Sequence, residues 1–192
     1  MKHLKATLCA AAATLATMAP QAFAADGTIT FTGAVSGQTC TVNGSTSGSD
    51  FTVALPAVRA ASLDADGDTA GRTPFTIALT SCNPTTGTVA VHFETGANTD
   101  VVTGRLRNTV VTTAATETAA AVTGAGNVQV GLLNADQSAI VLGAAFGAQN
   151  SQTVALASGA ANLQYYAQYV ATGAAATAGT LSTSTTYTIV YP

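Results

Sequence analysis

Val89-Ala90-Val91-His92-Phe93 sets an apolar side chain at every second position, and Phe75-Thr76-Ile77-Ala78-Leu79 does the same just before it. Successive side chains of a strand point to opposite faces of a sheet, so a period of two predicts half-buried β-strands rather than helices. The pattern recurs outward in both directions: at Ile29, Phe31 and Val35; at Phe51, Val53 and Leu55; at Val128, Val130 and Leu132; at Ile140 and Leu142; and at Tyr187, Ile189 and Tyr191. Gly, Asn, Asp, Ser and Thr separate the runs. Many short strands with turn residues between them predict an all-β sandwich or barrel. Two stretches do not alternate. Thr112 to Ala121, rich in alanine, is expected to form a helical turn, and Ala171 to Gly179 a loop before the last strand.

Composition agrees with one folded domain. Of the 192 residues, 47% are hydrophobic and 8% charged, against about 25% charged in an average domain. Disordered chains combine low hydrophobicity with high net charge, and this chain shows neither. Six Lys and Arg against nine Asp and Glu leave no basic patch to neutralise phosphates, which argues against nucleic acid as a partner.

Residues 1–24 read as an address. Lys2 and Lys5 precede an apolar run from Ala6 to Ala19, and Ala22-Phe23-Ala24 follows Pro20. A basic start, a short apolar segment and small residues at the A-x-A position are the parts of a secretory signal peptide. A membrane-spanning helix needs about 20 apolar residues, more than this run supplies. Cleavage after Ala24 leaves four arginines, no lysine and nine acids, a net charge of −5. It also leaves Cys40 and Cys82, an even pair in an oxidising compartment, where a disulfide is expected. Two Cys without clustered His do not supply the four ligands of a structural zinc site.

The sequence carries little sign of a chemical site. His92, the one histidine of the mature chain, lies in an alternating strand opposite the core-facing Val91 and Phe93 and is expected to face solvent. No G-x-S-x-G elbow accompanies it, and no activated nucleophile is evident. Asp64, Asp66 and Asp68 raise the question of calcium, but Phe75 stands where an EF-hand loop requires a bidentate Glu, so a solvated acidic loop is the expectation. Gly124-Ala125-Gly126 lacks the third glycine of a dinucleotide fingerprint. No cofactor or metal site is expected, and no enzymatic activity.

The two ends carry more information. Asp26-Gly27-Thr28-Ile29-Thr30-Phe31-Thr32-Gly33-Ala34-Val35 alternates ahead of the first mature cysteine, and the chain stops inside Thr186-Tyr187-Thr188-Ile189-Val190-Tyr191-Pro192. Together with the Cys40 to Cys82 spacing, Leu55-Pro56-Ala57-Val58, Ala61-Ser62-Leu63 and Tyr166-Ala167-Gln168-Tyr169, these segments resemble the pilin subunits of chaperone–usher fimbriae, specifically the major subunit of type 1-like pili. Gly179, fourteenth from the C-terminus, and the penultimate Tyr191 match positions that such pilins share. Pro192 departs from the pattern, since it has no backbone amide to donate.

The resemblance implies an incomplete immunoglobulin-like β-sandwich that lacks its last strand and is completed by a donor strand. It divides the chain into a signal peptide (1–24), an N-terminal donor-strand extension (25–39) and a pilin domain (40–192). Ile29, Phe31, Gly33 and Val35 would form the donor strand. Gly179, Tyr187, Ile189 and Tyr191 would belong to a C-terminal strand that lines the groove and faces chaperone and usher. The implied function is a non-enzymatic fibre subunit for cell adhesion, exported through the periplasm to the cell surface. Its partners would be identical or related pilins joined head to tail, a periplasmic chaperone and an outer-membrane usher. A minor adaptor or tip-proximal pilin is the neighbouring alternative, and a secreted ligand-binding module the remoter one. A tip adhesin needs a second, lectin domain, for which about 168 mature residues leave no room. In the plainest alternative, residues 27–35 are simply the first strand of a complete sandwich. N-terminal sequencing of the exported protein is expected to begin at Ala25; a start at Met1 overturns the signal-peptide assignment.

Overall fold

The computed structural model describes Thr30, Gly33, Val35, Gly37, residues 39–45 and residues 49–192. It divides into two units, residues 1–35 and 36–192. In the first, the described residues Thr30, Gly33 and Val35 are all exposed; Ile29 and Phe31 lie outside the described residues, as does most of the strand expected there.

The second unit is a sandwich of two antiparallel sheets. Its strands are β1 (Thr39–Val42), β2 (Thr69–Asn83), β3 (Thr88–Phe93), β4 (Thr99–Asp100), β5 (Arg105–Arg107), β6 (Val128–Asn134), β7 (Ala139–Ile140), β8 (Val154–Ala155), β9 (Ala161–Ala171) and β10 (Tyr187–Val190), with one 3₁₀ turn at Ala60–Ser62. The larger sheet runs β1-β2-β9-β6-β5-β4, with β7 also on β6; the smaller runs β10-β3-β8. No α-helix occurs among the described residues.

Alternation explains the core. Ile77 and Leu79 of β2, Leu163 and Tyr165 of β9, Val130 and Leu132 of β6, and Val89, Val91 and Phe93 of β3 all turn inward into one buried cluster. Each fully buried aliphatic or aromatic side chain contributes roughly 1.5–3 kcal/mol of transfer free energy, so this cluster holds the sheets face to face. Cys40 and Cys82 form a disulfide that joins β1 to the end of β2. Closing a loop of that length stabilises the fold by about 4 kcal/mol in the chain-entropy account.

Pro74 stands within a fifteen-residue strand, where a missing amide is normally disruptive. The topology removes the cost. Both the amide and the carbonyl of Ala78 bond Asn43, on the β1 side, and by alternation Pro74 turns the same way. β1 reaches only as far as Leu79 along β2, so no ladder bond is lost, and the proline blunts a free edge.

Several expectations change. Thr112 to Ala121 forms no helical turn: Thr113 and Val122 pair across an exposed hairpin that closes at Thr116–Ala119. β-branched Thr and Val outweigh alanine's helix preference where nothing packs on the segment. His92 does occupy the face opposite Val91, but its side chain is only 17% exposed, because the Phe146 ring meets it edge-on at 6.1 Å. The acidic turn is held by its own carboxylates: Asp68 Oδ2 accepts the Asp64 and Ala65 amides, and Asp66 Oδ1 accepts the Gly173 amide. Phe51, Val53 and Leu55 lie in an extended run that joins no sheet.

Gly124 and Gly179 each lie against backbone, and a Cβ on Gly124 would stand 2.2 Å from the Val110 carbonyl oxygen. The chain enters its C-terminal strand by bonding Thr180 to both sides of Gly124, through the Thr180 amide to the Thr123 carbonyl and the Ala125 amide to the Thr180 carbonyl, each at 2.8 Å. A Cβ on Gly179 would overlap the Ala125 amide nitrogen and lie 2.5 Å from the Gly124 carbonyl carbon. Backbone rather than a flexible side chain is in the way. Gly179→Ala is therefore expected to cost about 1–3 kcal/mol, read as a lowered urea midpoint; an unchanged midpoint contradicts this packing.

Candidate functional site: an open groove beside the C-terminal strand

The smaller sheet has two edges, and the sequence treats them differently. Thr186 accepts the Glu94 amide, so the even-numbered residues of the C-terminal strand bond toward β3. The same side continues upstream, where the Ser182 carbonyl accepts the Thr109 amide and the Ser184 carbonyl accepts Asn98 Nδ2. Leu181, Thr183, Thr185, Tyr187, Ile189 and Tyr191 consequently turn their amides and carbonyls the other way, and among the described residues no backbone hydrogen bond reaches them there.

The far edge of β3 is closed instead. β8 covers Thr88 and Val89. Beyond it Gln149 replaces a strand outright. Its Oε1 accepts the Phe93 amide at 2.9 Å and its Nε2 donates to the Phe93 carbonyl at 2.7 Å. Gln149 is 1% exposed, deep enough that either backbone group would otherwise be orphaned. Burial raises the Tyr165 hydroxyl above its ordinary value, so it stays protonated and neutral.

Opposite the open edge runs the extended segment 49–58. The Tyr187 hydroxyl of the C-terminal strand donates to its Ser49 carbonyl at 2.8 Å, and among the described residues its backbone joins no ladder. Both walls of the cleft thus carry unpaired main chain.

The cleft between them is apolar. Val53, Leu55, Phe75, Leu181, Tyr187 and Ile189 pack against the buried cluster yet remain half-exposed. Aromatic rings step from surface to core: Phe51 lies 6.0 Å from Phe75 and 6.2 Å from Tyr187, Phe75 lies 5.6 Å from Tyr165, and Tyr165 lies 5.3 Å from Phe93. The Thr183 hydroxyl is buried here without a partner. This is a sandwich core left uncovered along one strand's width.

Of the residues singled out from the sequence, Tyr187, Ile189 and Tyr191 sit together on the inner side of the C-terminal strand, half-buried. Gly179 lies upstream of them, against the 124–125 backbone rather than in the cleft. Gly33 and Val35 are exposed in the first unit. Leu181, Val53 and Leu55 complete the walls; the last two stood out in the sequence only as one more alternating run. The sealing role of Gln149 left no sequence signal, since a lone Gln in a small-residue loop looks like surface.

A two-sheet antiparallel sandwich with one edge of its core uncovered is the architecture of a subunit that is completed by another chain. Residues 55–192 match the family model of the type-1 fimbrial protein A, FimA. The F17 fimbrial protein of Escherichia coli is 47% identical over 171 residues, covering 86% of this chain and 87% of that one. The major fimbrial subunit SMF-1 of Stenotrophomonas maltophilia strain K279a is 45% identical over 172 residues, covering 88% and 94%. Among solved structures, the P pilus rod subunit PapA superposes with a TM-score of 0.58 at 18% identity, covering 80% of this chain and 99% of its own. The chain belongs to the type-1 fimbrial protein A family. It is a structural, non-enzymatic fimbrial subunit of a surface fimbrium, with the immunoglobulin-like pilin fold that lacks the last strand.

Gln149→Ala strips the Phe93 amide and carbonyl of their partners, at about 1–3 kcal/mol for each buried group left unpaired. A loss of at least ~2 kcal/mol in chemical denaturation is expected; a change within error shows that the edge is sealed by something else.

Proposed function

We propose that this subunit polymerises head to tail by donor-strand exchange, the extension 25–39 of one copy entering the groove of the next. The observation that carries this reading is the pair of unpaired main-chain walls, residues 49–58 and the odd-numbered positions from Leu181 to Tyr191, on either side of an uncovered apolar floor. One extended strand laid between them bonds both walls and buries the floor, the β-augmentation mode of recognition. Ile29, Phe31 and Val35 then supply alternate side chains to the floor, each worth roughly 1.5–3 kcal/mol before ordering costs. Gly33 lets the donor backbone approach closely where the groove is shallow.

Residues 1–24 direct export and are removed, and residues 40–192 form the receiving domain. A strand edge beside exposed core is an aggregation hazard, so before assembly the groove needs a lender: a periplasmic chaperone, with handover at an outer-membrane usher. The finished fibre carries adhesion at the cell surface.

Around Gly33 no described atom lies within 4 Å of where a Cβ would stand, so a larger side chain there does not disturb the free subunit. Gly33→Leu and deletion of residues 25–35 are compared with the parent by electron microscopy and by gels run with and without boiling. Fibres and a boiling-sensitive ladder are expected from the parent, a reduced ladder from Gly33→Leu, and chaperone-bound monomer from the deletion. Stable free monomers from parent and deletion alike overturn donor-strand exchange.

A further inference from the structure

Away from the groove, the second unit presents two apolar surfaces at opposite ends of β5. At the start of β5, the turn Val101–Gly104 exposes Val101 (62%) and Val102 (90%). Val141 extends this face: a Cβ on Gly104 would meet Val141 Cγ1 at 2.9 Å, and one on Gly143 would meet Val101 Cγ1 at 2.8 Å, so the two valines lie across neighbouring glycines. At the other end, the chain leaves β5 into the hairpin 110–124, whose residues 111–122 are all exposed, Val111 at 74%. Its one charge is Glu117, near the tip.

The charges on the two surfaces are complementary and unspent. Of the arginines, Arg107 pairs with Asp100 at 3.3 Å and Arg72 bonds Gln168 and Gln137. Among the described residues neither Arg59 nor Arg105 has an ion pair or side-chain hydrogen bond, and neither has Glu117; of the two arginines it is Arg105 that adjoins the valine turn. In a mature chain with only four cations, a free guanidinium beside one apolar face and a free carboxylate on the other mark the two as partners. Rim charges of this kind fix register more than they add affinity.

We propose that the hairpin 110–124 of one copy docks on the valine turn face of a second copy, with Glu117 of the first set against Arg105 of the second. The contact is heterologous. Because its two halves sit at opposite ends of one strand, it repeats from copy to copy without exhausting either surface, and it joins subunits that are already strung together through their grooves. It rests on the fibre described above but uses none of its residues, so the two are separable by experiment.

The test introduces Arg105→Cys together with Glu117→Cys in the full chain, exported and assembled as usual. Fibres are oxidised and run on non-reducing gels, unboiled and boiled. Boiling dissolves joints held by strand pairing alone. The expected result is covalent multimers that survive boiling and collapse to monomer on reduction, with each single variant giving monomer after boiling. A double variant that shows the ladder unboiled and only monomer when boiled overturns this inference and leaves donor-strand exchange standing; a parent chain with no ladder overturns both. As an independent readout, Arg105→Glu is expected to loosen the packing of fibres in electron micrographs, and Arg105→Glu with Glu117→Arg to restore it. Unchanged packing in the single charge reversal also overturns the contact.

Discussion

A strand needs hydrogen bonds on both sides, and among the described residues the C-terminal strand of this protein has them on one. Everything distinctive about the domain follows from that deficit. Backbone groups left unpaired in an apolar setting are costly, and a core left open along one strand's width exposes side chains that belong inside. The deficit is local rather than a general looseness, because the β3 edge of the same small sheet is closed by β8 and by the Gln149 amide. The fold spends buried side chains to close one edge and leaves the other able to receive a strand.

Alternation made the sandwich legible. Phe75, Ile77 and Leu79 became β2, Val89, Val91 and Phe93 became β3, and Val128, Val130 and Leu132 became β6, each with its apolar residues inward. β9 escaped the same search although it spans eleven residues. Large side chains stand on both of its faces, Tyr166 and Val170 on the side opposite Tyr165 and Ala167, and they blur the contrast that alternation needs. The alanine-rich hairpin was misread because its composition speaks for a helix while its branched residues and lack of a packing surface favour an extended pair.

The groove was only half legible. Tyr187, Ile189 and Tyr191 announced an apolar strand face, but no pattern in a sequence distinguishes an apolar face that will be covered by its own chain from one that will not. Phe51, Val53 and Leu55 illustrate the point from the opposite wall: the sequence has every feature of a strand, yet among the described residues it joins no ladder. A strand's chemistry is local, whereas its pairing depends on what stands beside it. The glycines at 124 and 179 are similar, since the need for them arises only where two distant stretches of backbone cross.

The disulfide gains a mechanical meaning in the proposed fibre. Tension passed along such a fibre leaves the donor strand and enters its own domain at Thr39 and Cys40, the first residues of β1. There the load meets a covalent bond to Cys82, at the end of the long β2 that pairs with β9 across the middle of the large sheet. Peeling β1 away from the domain, the failure that a short four-residue strand would otherwise invite, is thereby blocked. Pulling force is delivered to β2 and its long ladder with β9, rather than to the four residues of β1 alone.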